Sequence, residues 1–152
     1  MRIIKRLRIS ESDAAFTIRK VEPGDRFLLT DDGSLEARDH TGAALRGKGT
    51  RWVAINRLGE AVGAACAEVS NPPQLKGSSP VPPSVLHLSA IGSLCGGAGI
   101  GTALLDEVKQ EATELNIPIW LNPTLLSVGF YLQLGFNAHE GMMVWNPDRQ
   151  LS

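Results

Sequence analysis

The sequence predicts one α/β domain with a mixed, mostly antiparallel sheet, and three observations carry that prediction. The β-leaning runs Arg51 to Asn56 and Ala61 to Ser70 are separated by Arg57-Leu58-Gly59-Glu60, a Gly-containing link of hairpin length. Between the strand-like runs Val85 to Ile91 and Ile117 to Leu121 lies Gly99 to Asn116, where Ile100, Ala103, Leu104, Val108, Ala112 and Leu115 recur at helical spacing. A strand, a helix and a second strand in that order make a parallel pair with a crossover. With 152 residues, 43% hydrophobic and 20% charged, the chain fills one core and is too short for two, so a single domain over 1–152 is expected.

The elements follow in order. Met1 to Ile9 sets Ile3, Leu7 and Ile9 among Arg2, Lys5, Arg6 and Arg8, the alternation of a guarded edge strand. Ser10-Glu11-Ser12-Asp13 is N-cap chemistry, and with Ala14, Ala15 and Ile18 it predicts a short helix over Ser10 to Lys20. Val21 to Thr50 is rich in turns, with Arg26 to Thr30 its one strand-like stretch. Asn71 to Ser84 holds five of the nine prolines and reads as a surface loop. In Val85 to Ile91, residues Val85, His87, Ser89 and Ile91 fall on one face and Leu86, Leu88 and Ala90 on the other. Leu125 to Leu134, stopped by Gly135, is a further helix, and Gly141 to Trp145 is a last strand closed by Pro147. Trp52, Trp120 and Trp145 sit where strands pack on the core.

Charge and cysteine content narrow the function. Lys and Arg number 15 against 16 Asp and Glu, a net charge of -1, which offers no positive field for nucleic acid and predicts no nucleic-acid partner. No apolar run approaches the ~18 residues of a membrane span, and the alternating opening is no signal peptide, so no membrane partner and a cytoplasmic setting are expected. Cys66 and Cys95 are too few for a disulfide framework, and the scattered His40, His87 and His139 supply no metal-ligand spacing.

The segment richest in chemistry runs from Ile91 through Cys95-Gly96-Gly97-Ala98-Gly99-Ile100-Gly101-Thr102 into the long helix. Glycines let the backbone approach a ligand, while the free N–H groups and dipole of the helix start favour a phosphate. The Lys-Ser/Thr of a nucleotide P-loop is missing, and the turn follows several strands instead of the first, which disfavours a dinucleotide fold.

Gly99-Ile100-Gly101 followed by Thr102-Ala103-Leu104-Leu105, and downstream Phe130-Tyr131-Leu132-Gln133-Leu134-Gly135-Phe136, resemble two motifs of the GCN5-related N-acetyltransferase (GNAT) family. These are its Gln/Arg-x-x-Gly-x-Gly/Ala acyl-CoA loop and its Phe/Leu-Tyr-x-x-Leu-Gly-Phe segment, in the family's order. The resemblance is specific over roughly Val85 to Trp145. It implies central parallel strands that splay, here Val85 to Ile91 and Pro118 to Asn122, with helices on the sheet. It also implies acetyl-CoA as acyl donor and direct acetyl transfer to a primary amine of a small molecule or peptide. Carried over residue by residue, cofactor binding falls to Ile91, Gly96, Gly97, Ala98, Gly99, Ile100, Gly101 and Thr102, with Asn122 and Thr124 lining the same opening. Tyr131, the single tyrosine, is the expected acid for the departing thiolate.

The family's strand glutamate has no counterpart in Val85 to Ile91. The base is therefore left among His87, Glu68 and a water relay; imidazole is the side chain that exchanges protons near neutral pH. The Gln/Arg position falls on Gly96, so a phosphate contact is lost unless Arg46, Lys48 or Lys76 replaces it. The missing loop cation and the missing strand glutamate together suggest a noncatalytic acyl-CoA-binding or protein-interaction module as the alternative, and the glycines alone would suit a nucleotide-binding regulatory domain. Cys95 lacks a histidine nearby in sequence and is read as a small buried hydrophobe. An exposed edge at the final strand would permit pairing of two copies as a homodimer.

Overall fold

A computed structural model describes residues 15–71, 84–96, 98–124 and 127–147. Seven strands form one sheet in the order β1-β2-β3-β4-β5-β7-β6. They are β1 (Phe16–Lys20), β2 (Thr50–Asn56), β3 (Ala61–Ser70), β4 (Val85–Ser93), β5 (Ile119–Leu121), β6 (Asn137–His139) and β7 (Met142–Trp145), with helices α1 (Leu35–Arg46), α2 (Ile100–Leu115) and α3 (Val128–Gln133). All pairings are antiparallel except β4 with β5.

The β2–β3 hairpin lies where the sequence puts it. Its turn closes on Asn56, whose Oδ1 accepts from the N–H groups of Leu58 (3.0 Å) and Glu60 (2.9 Å), while Gly59 takes the positive φ of 80° that the turn needs. The α2 prediction also holds. Its buried face of Ile100, Leu104, Leu105, Val108 and Ala112 joins Trp52, Leu86, Leu88, Ile119, Leu121 and Met143 in the main core.

Three readings are corrected. The helix over Ser10 to Lys20 is, in its described part, strand β1 in register with β2 from Phe16↔Asn56 to Lys20↔Trp52. Phe16 and Ile18 turn onto the core, and the hairpin edge offers ladder bonds that outweigh the N-cap signal upstream. Met1 to Ile9 lies outside the described residues, as does most of Asn71 to Ser84.

Val21 to Thr50, read from the sequence as turns with one strand-like stretch, holds a helix as well. This is α1, capped by the Ser34 Oγ accepting from Ala37 N–H at 3.1 Å, with Glu36 and Arg46 placed to suit the helix dipole. Arg26 to Thr30 adds only the bridge Leu29↔Ala61, because the flank of β3 that it uses is taken by β4 from Gly63 onward.

The simple alternation along β4 also fails. The register passes from Cys66↔Ala90 to Ala67↔Leu88, leaving Ser89 as a bulge. Leu86, Leu88 and Ile91 consequently all reach the main core, while Ala90 packs with Ala44, Ala64 and Cys66 beneath α1. Helices α1 and α2 thus cover opposite faces of the sheet.

α1 lies very close to the strands. A Cβ on Gly92 would stand 2.4 Å from Thr41 Oγ1 and 2.6 Å from its backbone N, and one on Gly47 would stand 2.2 Å from Cys66 Sγ. Thr41 is fully buried there, its hydroxyl donating back to the Ala37 carbonyl at 2.8 Å. On the other side, Lys109 Nζ donates to the Leu134 carbonyl at 2.7 Å and lies 5.4 Å from the Trp145 ring, tying α2 to the end of α3. None of the helices in the described part is long and apolar enough to cross a membrane.

Candidate functional site

The site begins with a seam that comes apart. β4 and β5 register only at Leu86↔Ile119 and His87↔Trp120, with Leu86 N–H donating to the Pro118 carbonyl at 2.8 Å. β4 then continues to Ser93 bonded to β3 alone, whereas β5 ends at Leu121. Its second backbone edge faces the gap from Leu88 onward, ready to pair with an extended ligand as a strand would.

The gap widens into a cleft of about 750 Å³. Leu88 to Ser93 form one wall, and Leu121, Asn122 and Thr124 the other. The start of α2 (Gly99, Ile100, Gly101, Thr102) and Ser127, Phe130 and Tyr131 close it on one face of the sheet, and His40 and Ala43 of α1 reach it from the other.

The turn into α2 is shaped to receive an anion. Gly99 is its N-cap with φ 78° and supplies no side-chain cap to the first-turn N–H groups. A Cβ on Gly96 or Gly99 would meet nothing within 4 Å, and one on Gly101 would only touch the Phe130 ring at 3.5 Å. Ala98 packs against the core instead of lining the cleft, and Gly97 lies outside the described residues.

Tyr131 sits where the gap is deepest. Its ring packs edge-on against Phe130 (5.2 Å) and Phe136 (5.4 Å), leaving 6% of the residue exposed, toward the cleft. Burial pushes the phenol pKa up, so the group stays protonated at neutral pH. Burial, aided by Asp32, also pushes the Cys95 thiol up; the sulfur is half-buried, lines the cleft and is a poor nucleophile there.

Ile91, Gly96, Gly99, Ile100, Gly101, Thr102, Asn122, Thr124 and Tyr131 therefore share one cleft. Glu68 and His87 do not line it. They face each other across β3 and β4 in the part of the sheet where β4 and β5 are still paired. Arg46 and Lys48 are exposed at the end of α1 and also lie outside the lining, and Lys76 is not among the described residues.

The residue that sequence reading missed is His40. Its helix carries a buried face of only Thr41 and Ala44, too small to register as an apolar stripe, although Ser34 as N-cap and the acidic first turn were visible signals.

A sheet split at its parallel seam, with a glycine-started helix against the opening, is the fold of the acyl-CoA acyltransferases. The chain belongs to the acetyltransferase (GNAT) family, whose profile matches residues 13–136. The enzymes of this family take acetyl-CoA as acyl donor, and the cleft offers an unpaired strand edge and a helix start that could hold an extended arm and a pyrophosphate.

Solved structures with the same fold include several described as bacterial toxins. The KacTA–DNA complex has a TM-score of 0.70 at 14% identity, covering 90% of this chain and 98% of that one. A Tyr-to-Phe variant of the AtaT toxin, bound to the C-terminus of the antitoxin AtaR and acetyl-CoA, has a TM-score of 0.66 at 12% identity, covering 89% and 95%. AtaT complexed with acetyl-methionyl-tRNAfMet gives 0.61 at 13%, covering 90% and 98%. No curated protein sequence matches the chain significantly.

Two of these complexes contain nucleic acid, which corrects the expectation drawn from the net charge. A charge of -1 summed over a whole chain says nothing about how cations are distributed locally, and the exclusion of nucleic acid, with the small-molecule acceptor, is withdrawn.

Proposed function

We infer that the protein transfers an acetyl group from acetyl-CoA directly to the α-amine of an aminoacyl-tRNA. The observation that carries the transfer is the cleft itself, which passes between β4 and β5 and is lined from both faces of the sheet. The donor enters along the free edge of β4 with its pyrophosphate at Gly99 to Thr102. The thioester lies beside Tyr131, and backbone N–H groups near Ile91 polarise its carbonyl. Asn122 and Thr124 hold the pantetheine arm from the opposite wall. Tyr131, kept protonated by burial, gives its proton to the departing thiolate.

Direct transfer is supported by Cys95, the thiol of the cleft, which burial holds protonated and makes a poor nucleophile for an acyl-enzyme. The acceptor rests on the likeness to AtaT, which was solved with acetyl-methionyl-tRNAfMet.

Calorimetric titration with acetyl-CoA, followed by assay on a mixture of aminoacylated tRNAs, tests the reading. Gly101→Glu places a carboxylate at the anion turn in an ordinary helical position and is expected to weaken acetyl-CoA by about tenfold or more without changing the circular dichroism. Equal affinity in both proteins would remove the turn as the donor site. Tight binding with no acetylation of any amine would leave a donor-binding module.

A further inference from the structure

The transfer reaction needs a group that takes the proton of the incoming ammonium, and neither strand candidate lines the cleft. Among the described residues, the ionisable side chains that do line it are His40, Cys95 and Tyr131. Tyr131 and Cys95 are both held protonated by burial, which leaves one proton acceptor.

We propose that His40 is the general base, acting on the acceptor amine from the face of the sheet opposite Tyr131. The proposal rests on the acetyl-transfer reading above and names the residue that activates its acceptor.

Placement supports the role. Tyr131 belongs to the core under α2, while α1 packs on Ala64, Cys66 and Ala90 across the sheet, so the two groups meet the gap from opposite faces. An amine attacking a thioester approaches one face of the carbonyl plane in which the sulfur lies, so its proton and the sulfur's are handled at two separate positions, which two different groups can serve. His40 is solvent-exposed, so a proton it takes passes straight to water.

Its backbone is nevertheless fixed, because the neighbouring Thr41 is wholly buried against Gly92, the cleft-lining residue where a Cβ would stand 2.4 Å from the threonine hydroxyl. Glu36, Arg38, Asp39 and Arg46 accompany His40 on α1, Arg38 donating to the Thr30 and Asp32 carbonyls. Of the charged groups on the strands beneath α1, Arg51 donates to the Leu45 carbonyl at 2.7 Å, and Glu68 and His87 are outside the cleft.

The protons balance. A ring nitrogen of His40 removes one proton from the ammonium and releases it to solvent. The amine nitrogen then forms the N–C bond as the C–S bond breaks, Tyr131 protonates the sulfur, and the second proton shed by the nitrogen returns to Tyr131 through water. An α-amine, with an ordinary pKa of about 7.7–8.0, is within reach of an imidazole, whereas a lysine amine near ~10.4 is not.

The test compares full-length wild type, His40→Gln and His40→Ala, using methionine methyl ester and, separately, a mixture of aminoacylated tRNAs. Both variants should bind acetyl-CoA with wild-type affinity. His40→Gln should lose about 100-fold or more in kcat/KM at neutral pH, together with the acid-side limb of its pH profile. Added imidazole should restore part of the rate to His40→Ala.

An unchanged rate and profile in His40→Gln would overturn the proposal, and so would a lower rate that keeps the limb and resists imidazole. Wild-type turnover of the ester but not of tRNA would sink the tRNA reading while His40 is still judged on the ester. A wild type inert on both would sink the two together.

Discussion

Gly96 occupies the position where the family motif carries Gln or Arg, and restoring the cation there should tighten the donor. Gly96 is exposed, has no left-handed φ, and a Cβ on it would meet no atom within 4 Å, so Gly96→Arg introduces neither clash nor strain. A hydrogen bond to a charged group contributes about 1.5–3 kcal/mol, and exposure to solvent places this one at the lower end. About 1.5 kcal/mol corresponds to a roughly tenfold lower Kd for acetyl-CoA.

The gain should shrink as salt is raised, because the new contact is screened within about 10 Å at ~0.1 M ionic strength. Titration with S-acetyl-pantetheine, which lacks the pyrophosphate, supplies the control and should show no gain. An unchanged Kd for acetyl-CoA in a variant with native circular dichroism would refute the placement of the phosphates at Gly99 to Thr102. An equal gain with S-acetyl-pantetheine would refute it as well.

Tyr131→Phe keeps the ring packing against Phe130 and Phe136 and should lower kcat by about 100-fold while acetyl-CoA affinity stays within a factor of about two, measured by thiol release and calorimetry. Because burial raises the Tyr131 pKa above its ordinary 10.0, the stability it confers is full below that pH and is lost as pH rises through the raised value. Urea midpoints between about pH 9 and 11 should therefore fall more steeply in wild type than in Tyr131→Phe. Gly92→Ala forces α1 off the sheet and should cost about 1–3 kcal/mol, a drop of roughly 3–10 °C in Tm by differential scanning calorimetry.

What could be read from the sequence was local. The hairpin, the α2 stripe and the turn before Gly99 each state their conformation within one window of residues. α1 stayed hidden because close packing of its own Gly47 on Cys66 and of Thr41 on Gly92 replaces the large apolar side chains that a stripe requires. β1 was misread because its partner is β2, more than thirty residues downstream. His87 and Glu68 were drawn toward the reaction by sequence position, but the seam is still closed at His87, and the cleft starts one residue later at Leu88. His40 was lost with its helix.

The short β4–β5 seam also has a mechanical consequence. Two registered pairs join the antiparallel half β1 to β4 to the half β5 to β7, where neighbouring antiparallel strands share longer ladders. A sheet divided in this way has its fewest ladder bonds along one line, and α2, packed on strands of both halves, bridges that line. Amide protons of Ile119 to Leu121 should exchange before those of β2 and β3. Binding a ligand along β4 then closes a crack in the sheet, stiffening the molecule at the line where it yields most easily.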